Sequence, residues 1–138
     1  MSVTQLAVFI ENKPGRLAAV TRLLGDAGIN IRGYSIADTE DYGILRLLVD
    51  DEVKARQVLR DHSFTVHESQ ILLTEMPDRP GGVADVLESF AELGINVEYT
   101  YIIVRSMIAL GIDQREQAEA SLQAHGIRLL TNDDLKTL

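Results

Sequence analysis

Apolar and polar positions along the chain fall into alternating blocks that read as short strands and short helices. Residues 3–10 (VTQLAVFI) form a compact apolar run rich in strand formers, which suits a buried strand. Pro14 and Gly15 interrupt it, and the period then changes. Leu17, Val20, Leu24 and Ala27 recur at helical spacing, while Arg16, Arg22 and Asp26 stay off that stripe. Gly28 is placed to end this helix as a left-handed C′ residue. Residues 29–38 (INIRGYSIAD) and 44–49 (ILRLLV) read as two more strands around the polar turn DTEDYG. Asp50 and Asp51 open a second helix over 52–62, with Arg60 in its last turn, as the helix dipole favours. Residues 64–69 (FTVHES) supply a fourth strand, giving the order βαββαβ.

The same order returns in the second half. ILLTE (71–75) is a strand, Val83, Val86, Leu87, Phe90 and Leu93 form a helix stripe, and Gly94 ends that helix. INVEYTYIIV and SMIALGI follow as strands with only Arg105-Ser106 between them as a turn. A helix over 114–125 then leads through Gly126 into a short strand at 127–130, and the tail from Thr131 reads as one helical turn. The stretch FTVHESQILLTE contains no Gly or Pro, so the halves are expected to join strand to strand near Ser69. The expected domains are residues 1–69 and 70–138. The fold class is α+β: two tandem ferredoxin-like βαββαβ domains, with antiparallel sheets and helices on one face.

The halves also share wording. Asn12 to Ile31 reads NKPGRLAAVTRLLGDAGINI, and sixty-six positions later Asp78 to Val97 reads DRPGGVADVLESFAELGINV. Seven of the twenty positions are identical and six more keep their character, which marks a duplicated domain.

Composition narrows the function classes. No cysteine is present, which excludes a disulfide framework, a thiolate metal site and a cysteine nucleophile. Residues 1–68 hold eight basic against ten acidic residues, and residues 69–138 hold five against eleven. Neither half offers the basic surface that a phosphate backbone needs, so nucleic acid is not an expected partner. MSVTQLAVFIENK has neither a basic run nor a long apolar stretch, so a soluble, cytoplasmic protein without membrane span is expected. His62, His67 and His125 lie at no metal-ligand spacing, and no phosphate loop, nucleophile elbow or His-paired serine is present. No catalytic residue, metal or cofactor is expected.

The chemistry concentrates in the repeated turns Asn12-Lys13-Pro14-Gly15 and Asp78-Arg79-Pro80-Gly81. A helix N-terminus offers unpaired N–H groups and partial positive charge, and so can hold a carboxylate. Glycine lets a ligand approach the main chain, and proline fixes the entry angle. Asn12 or Asp78 adds an oxygen that an ammonium could donate to. Those parts match the two ends of a free amino acid. Asn and Asp are also favoured N-caps, and Pro-Gly marks many turns with no ligand, so the purely structural reading stays open.

A strand, [N/D]-[K/R]-P-G, an amphipathic helix and G-I-N-[I/V] within βαββαβ together resemble the ACT domain. Both halves carry the pattern, so the whole chain resembles a stand-alone tandem ACT protein. The resemblance implies a non-enzymatic regulatory module that binds a free amino acid at interfaces between two such domains. It implies ligand contacts at Asn12, Lys13, Pro14, Gly15, Arg16, Leu17, Asn30 and Ile31. In the second copy it implies Asp78, Arg79, Gly81, Gly82, Val83 and Asn96. The second copy departs with Asp78 in place of Asn, and the first with Ile10 where serine-binding members carry a histidine. A regulated partner protein is implied as well. A small ferredoxin-like enzyme and a purely structural dimerisation module are the alternatives. A homodimer is expected from the apolar strand face of Val97, Tyr99, Tyr101 and Ile103.

Overall fold

The computed structural model describes residues 1–38 and 40–138. They form two compact units. One comprises Thr4–Ser69 with Leu135–Thr137, the other Met1–Val3 with Gln70–Asp134 and Leu138.

In the first unit, β1 (Val3–Glu11), α1 (Arg16–Asp26), β2 (Ile31–Asp38), β3 (Tyr42–Val49) and α2 (Glu52–Asp61) lead into β4 (Thr65–Glu75). The strands lie in the order β2-β3-β1-β4, with β2 at the edge. Alternation along β1 sends Leu6, Val8 and Ile10 to one face, where they meet Val20 and Leu24 of α1 and Ala55 and Leu59 of α2. Leu24 and Leu59 are fully buried, and truncating either to alanine should cost roughly 2–5 kcal/mol. Helix α2 is capped as its sequence suggests: Asp51 accepts from the Lys54 N–H at 3.0 Å.

In the second unit, β4 is followed by α3 (Gly82–Ala91), β5 (Val97–Ile103), a one-turn 3-10 segment (Val104–Ser106), β6 (Met107–Ile112), α4 (Arg115–Ala124) and α5 (Asn132–Thr137). Strand order is β4-β6-β5. Leu72, Phe90, Ile108, Leu110 and Leu122 centre its core.

Three expectations need correction. Residues 64–69 and 71–75 are not two strands, because β4 runs unbroken from Thr65 to Glu75. Residues 127–130 form only a single bridge, Thr74 to Leu129. Pairing stops there because Thr131 starts α5 with a reciprocal cap: the Thr131 hydroxyl accepts from the Asp134 N–H, and the Asp134 carboxylate accepts from the Thr131 N–H. The face of Val97, Tyr99, Tyr101 and Ile103 is not an exposed apolar strip either. Ile103 is buried and the other three are half-buried. The Tyr99 ring covers Gly111 so closely that a Cβ there would lie 2.3 Å from it. The exposed apolar residue of β5 is Ile102 instead.

The repeat extends further than the sequence comparison found. The β5–β6 hairpin closes tightly through Arg105 and Ser106, at φ 59° and 54°. Cross-strand partners Ile36–Leu45 in the first unit correspond to Ile102–Ile108 in the second, three residues closer together. Beyond the hairpin the repeat therefore continues at an offset of sixty-three. His62 and His125 end α2 and α4, and each ring Nδ1 lies within 2.9 Å of the carbonyl four residues earlier.

Candidate functional site

The two Pro-Gly turns share one backbone conformation. The Lys13 N–H donates to the Glu11 carbonyl, the Arg16 N–H to Lys13 and the Ala19 N–H to Gly15. Sixty-six residues on, Arg79, Gly82 and Asp85 make the matching bonds to Pro77, Arg79 and Gly81. Gly15 and Gly81 occupy the N-cap positions of α1 and α3, both at φ 83°. A side chain is strained in that left-handed region, which is the physical reason for glycine at both positions. Neither N-cap residue has a side chain to cap its helix with. The N-cap reading of Asn12 and Asp78 is therefore set aside.

The side chains around the turns differ. In the first repeat Lys13 Nζ bonds Glu11 Oε2 at 2.9 Å. That hydrogen bond, then the Lys13 charge, holds the Glu11 carboxyl below its ordinary range. Among the described residues a Cβ added at Gly15 would meet nothing within 4 Å, and α1 has no acidic residue in its first turn. In the second repeat Arg79 pairs with Asp85 inside the first turn of α3, and its guanidinium lies 3.8 Å from where a Gly81 Cβ would sit. The partial charge at the start of α3 thus already faces a carboxylate from its own chain. Gly82 is buried, and a Cβ there would fall 1.9 Å from the Pro77 carbonyl oxygen. The first repeat carries the long side chain of Arg16 at the matching position.

A cavity of about 140 Å³ adjoins the first turn, lined by Ile10, Glu11, Asn12, Lys13, Leu17, Ile36, Asp38 and Gly43. An open groove beside it is lined by Glu11, Asn12, Lys13, Glu40, Asp41 and Tyr42. Of the residues expected from the sequence, Asn12, Lys13 and Leu17 line the cavity. Pro14 and Gly15 are exposed at the turn, and Arg16 is half-buried, with its guanidinium 5.7 Å from the Phe64 ring centroid. Asp78, Arg79 and Gly81 are exposed, and Val83 packs half-buried against the second core.

Asn30 and Ile31 do not join the Asn12 turn of their own unit. Glu11 pairs with Tyr42 and Ile31 with Val49, so the two clusters sit at opposite ends of β3, roughly 24 Å apart at strand rise. Asn96 is likewise separated from Asp78, since Glu75 pairs with Met107 and Val97 with Ile112. The Asn30 backbone is tied to Asp50: its N–H donates to Asp50 Oδ1 at 2.9 Å, and its carbonyl accepts from the Asp50 N–H at 3.1 Å. The expected contacts at Asn12 and Asn30 therefore do not come together within one unit. Sequence reasoning missed Glu11, Ile36, Asp38 and Gly43 as cavity walls. They come from neighbouring strands, and only cross-strand register brings them together.

A family model described as an ACT domain pair matches residues 1–138. The chain belongs to the ACT domain pair family. A crystal structure of a protein from Bacteroides thetaiotaomicron superimposes on this ACT domain pair with a TM-score of 0.93 at 33% identity, covering 100% of this chain and 98% of that one. The regulatory subunit of aspartate kinase from Thermus thermophilus, in its ligand-free form, gives a TM-score of 0.65 at 20% identity, covering 88% of each chain. The corresponding subunit from Thermus flavus gives 0.62 at the same identity and coverage. At that identity both likenesses establish the fold of the pair. A search of curated proteins found no match.

Proposed function

We propose that this ACT domain pair is a non-enzymatic regulatory protein that binds a free amino acid at the Asn12–Leu17 turn and acts on a partner protein. The observation that carries the reading is the start of α1: a left-handed glycine at the N-cap, which offers no capping side chain, no acid in the first turn, and a cavity alongside. A carboxylate placed there meets unpaired N–H groups and the positive end of the helix dipole. The regulatory role is in keeping with the aspartate kinase subunits that share the fold. The second turn, overlaid by its own Arg79–Asp85 pair, is the weaker site. A ligand reaching an Asn30-type element draws it from another domain, and a second copy of the chain supplies one in a homodimer. Exposed Tyr34 and Ile36 on edge strand β2 suit such pairing, as does the row of unpaired backbone groups that an edge presents.

Thermal shift against the twenty amino acids tests the reading. A ligand at 100 times its dissociation constant adds about 2.7 kcal/mol of stability, which is several degrees for a chain of this size. One amino acid, or a small group of similar ones, should raise the melting temperature. A flat panel contradicts the reading. Sedimentation should show a dimer at micromolar concentration, and a 15.3 kDa monomer there rules out the pairing.

A further inference from the structure

We propose that Asp38 anchors the ligand's ammonium group in the first-repeat cavity and makes that cavity selective for an unmodified amino group; this rests on the amino-acid-binding reading above. The cavity wall is apolar at Ile10, Leu17 and Ile36 and carries ionised side chains at Glu11, Lys13 and Asp38. Glu11 is compensated, by Lys13 Nζ at 2.9 Å and by an Arg16 nitrogen 4.0 Å from its other oxygen. Asp38 makes no ion pair or side-chain hydrogen bond among the described residues. Among the described residues it is the one wall charge without a charged partner, and a carboxylate so placed favours a cation beside it.

Register sets the geometry. Asp38 pairs with Gly43, and Gly43 with Ile10, so Asp38 stands two strand spacings, roughly 10 Å, across the sheet from the strand that runs into the Pro-Gly turn. A zwitterion with one hydrogen bond at each end is of that order of length, so it can lie along the cavity with its ammonium at Asp38 and its carboxylate toward the Pro-Gly turn. The acidic residue lies away from the helix N-terminus and so does not compete with the ligand's carboxylate for it. At the matching position the second repeat has Val104, which offers no such partner.

Calorimetric titration of the wild-type chain with the amino acid that gives the largest thermal shift, and with its N-acetyl derivative, tests the proposal alongside Asp38→Asn. Loss of a charge-assisted hydrogen bond predicts affinity lower by about 10- to 150-fold in Asp38→Asn. The N-acetyl derivative should bind wild type at least as poorly, and the unliganded melting temperature of the variant should stay close to wild type because Asp38 is exposed. If wild type binds an amino acid and Asp38→Asn binds it within about threefold, or the N-acetyl form binds equally well, Asp38 is not the anchor and the wider reading survives. If no amino acid binds wild type, both fall together.

Discussion

The two Pro-Gly turns carry the same three backbone bonds and the same left-handed glycine, yet their surroundings have diverged. In the first, the basic residue turns back to Glu11 and leaves the helix start open beside a cavity. In the second, the basic residue folds over the helix start and meets Asp85. The two turns thus share a backbone conformation but differ in whether the chain's own carboxylate already faces the helix N-terminus.

The largest test of that divergence is steric. Gly82→Ala should destabilise the second unit by about 3 kcal/mol, the upper part of the overpacking range, because its Cβ meets the rigid Pro77 carbonyl. Urea unfolding reads this directly, and an unchanged midpoint means that the contact relaxes freely. The matching position tolerates Arg16, so no such effect belongs to the first repeat.

A smaller effect separates the helices themselves. Gly25 lies within α1 where a Cβ would meet nothing within 4 Å among the described residues, whereas α3 carries Ala91 at the matching position. Gly25→Ala should stabilise the chain by about 0.5–1 kcal/mol through lower unfolded-state entropy. A loss of stability on thermal melting would show that the first helix needs its glycine.

The smallest effect is electrostatic. The Glu11 pKa is depressed in the folded state, chiefly by the hydrogen bond from Lys13. Its contribution to stability is therefore present above the unfolded pKa and fades as pH falls through the folded one. Lys13→Met should move the Glu11 titration, followed by NMR, back up toward the ordinary carboxylate value. No movement would mean that Lys13 does not hold that carboxylate. The second repeat has Pro77 there and has no counterpart to titrate.

Much of this architecture is legible in the sequence. Strand alternation and the Leu17–Val20–Leu24 stripe specify β1 and α1, and the repeated Gly-Ile-Asn marks where each first helix ends. The strand at 127–130 failed because Leu129 and Leu130, apolar enough for a strand, are buried just before the Thr131 cap. The second half of the repeat escaped notice because the shorter hairpin at Arg105–Ser106 changed its offset. The site was legible only in part. Asn12 and Gly15 announce a turn, but Ile36, Asp38 and Gly43 join it through strand register. Likewise the separation of Asn30 from Asn12 follows from β3 running between them.

The most direct test of the divergent turns is calorimetric titration of Asn12→Ala and Asp78→Ala with the amino acid that binds wild type. The account predicts that Asn12→Ala loses about 1.5–3 kcal/mol, roughly 10- to 150-fold in affinity, while Asp78→Ala stays within about threefold of wild type. Neither variant should lose a cap's worth of stability, since the N-cap positions of α1 and α3 are Gly15 and Gly81. Intact binding in Asn12→Ala with binding lost in Asp78→Ala would contradict it.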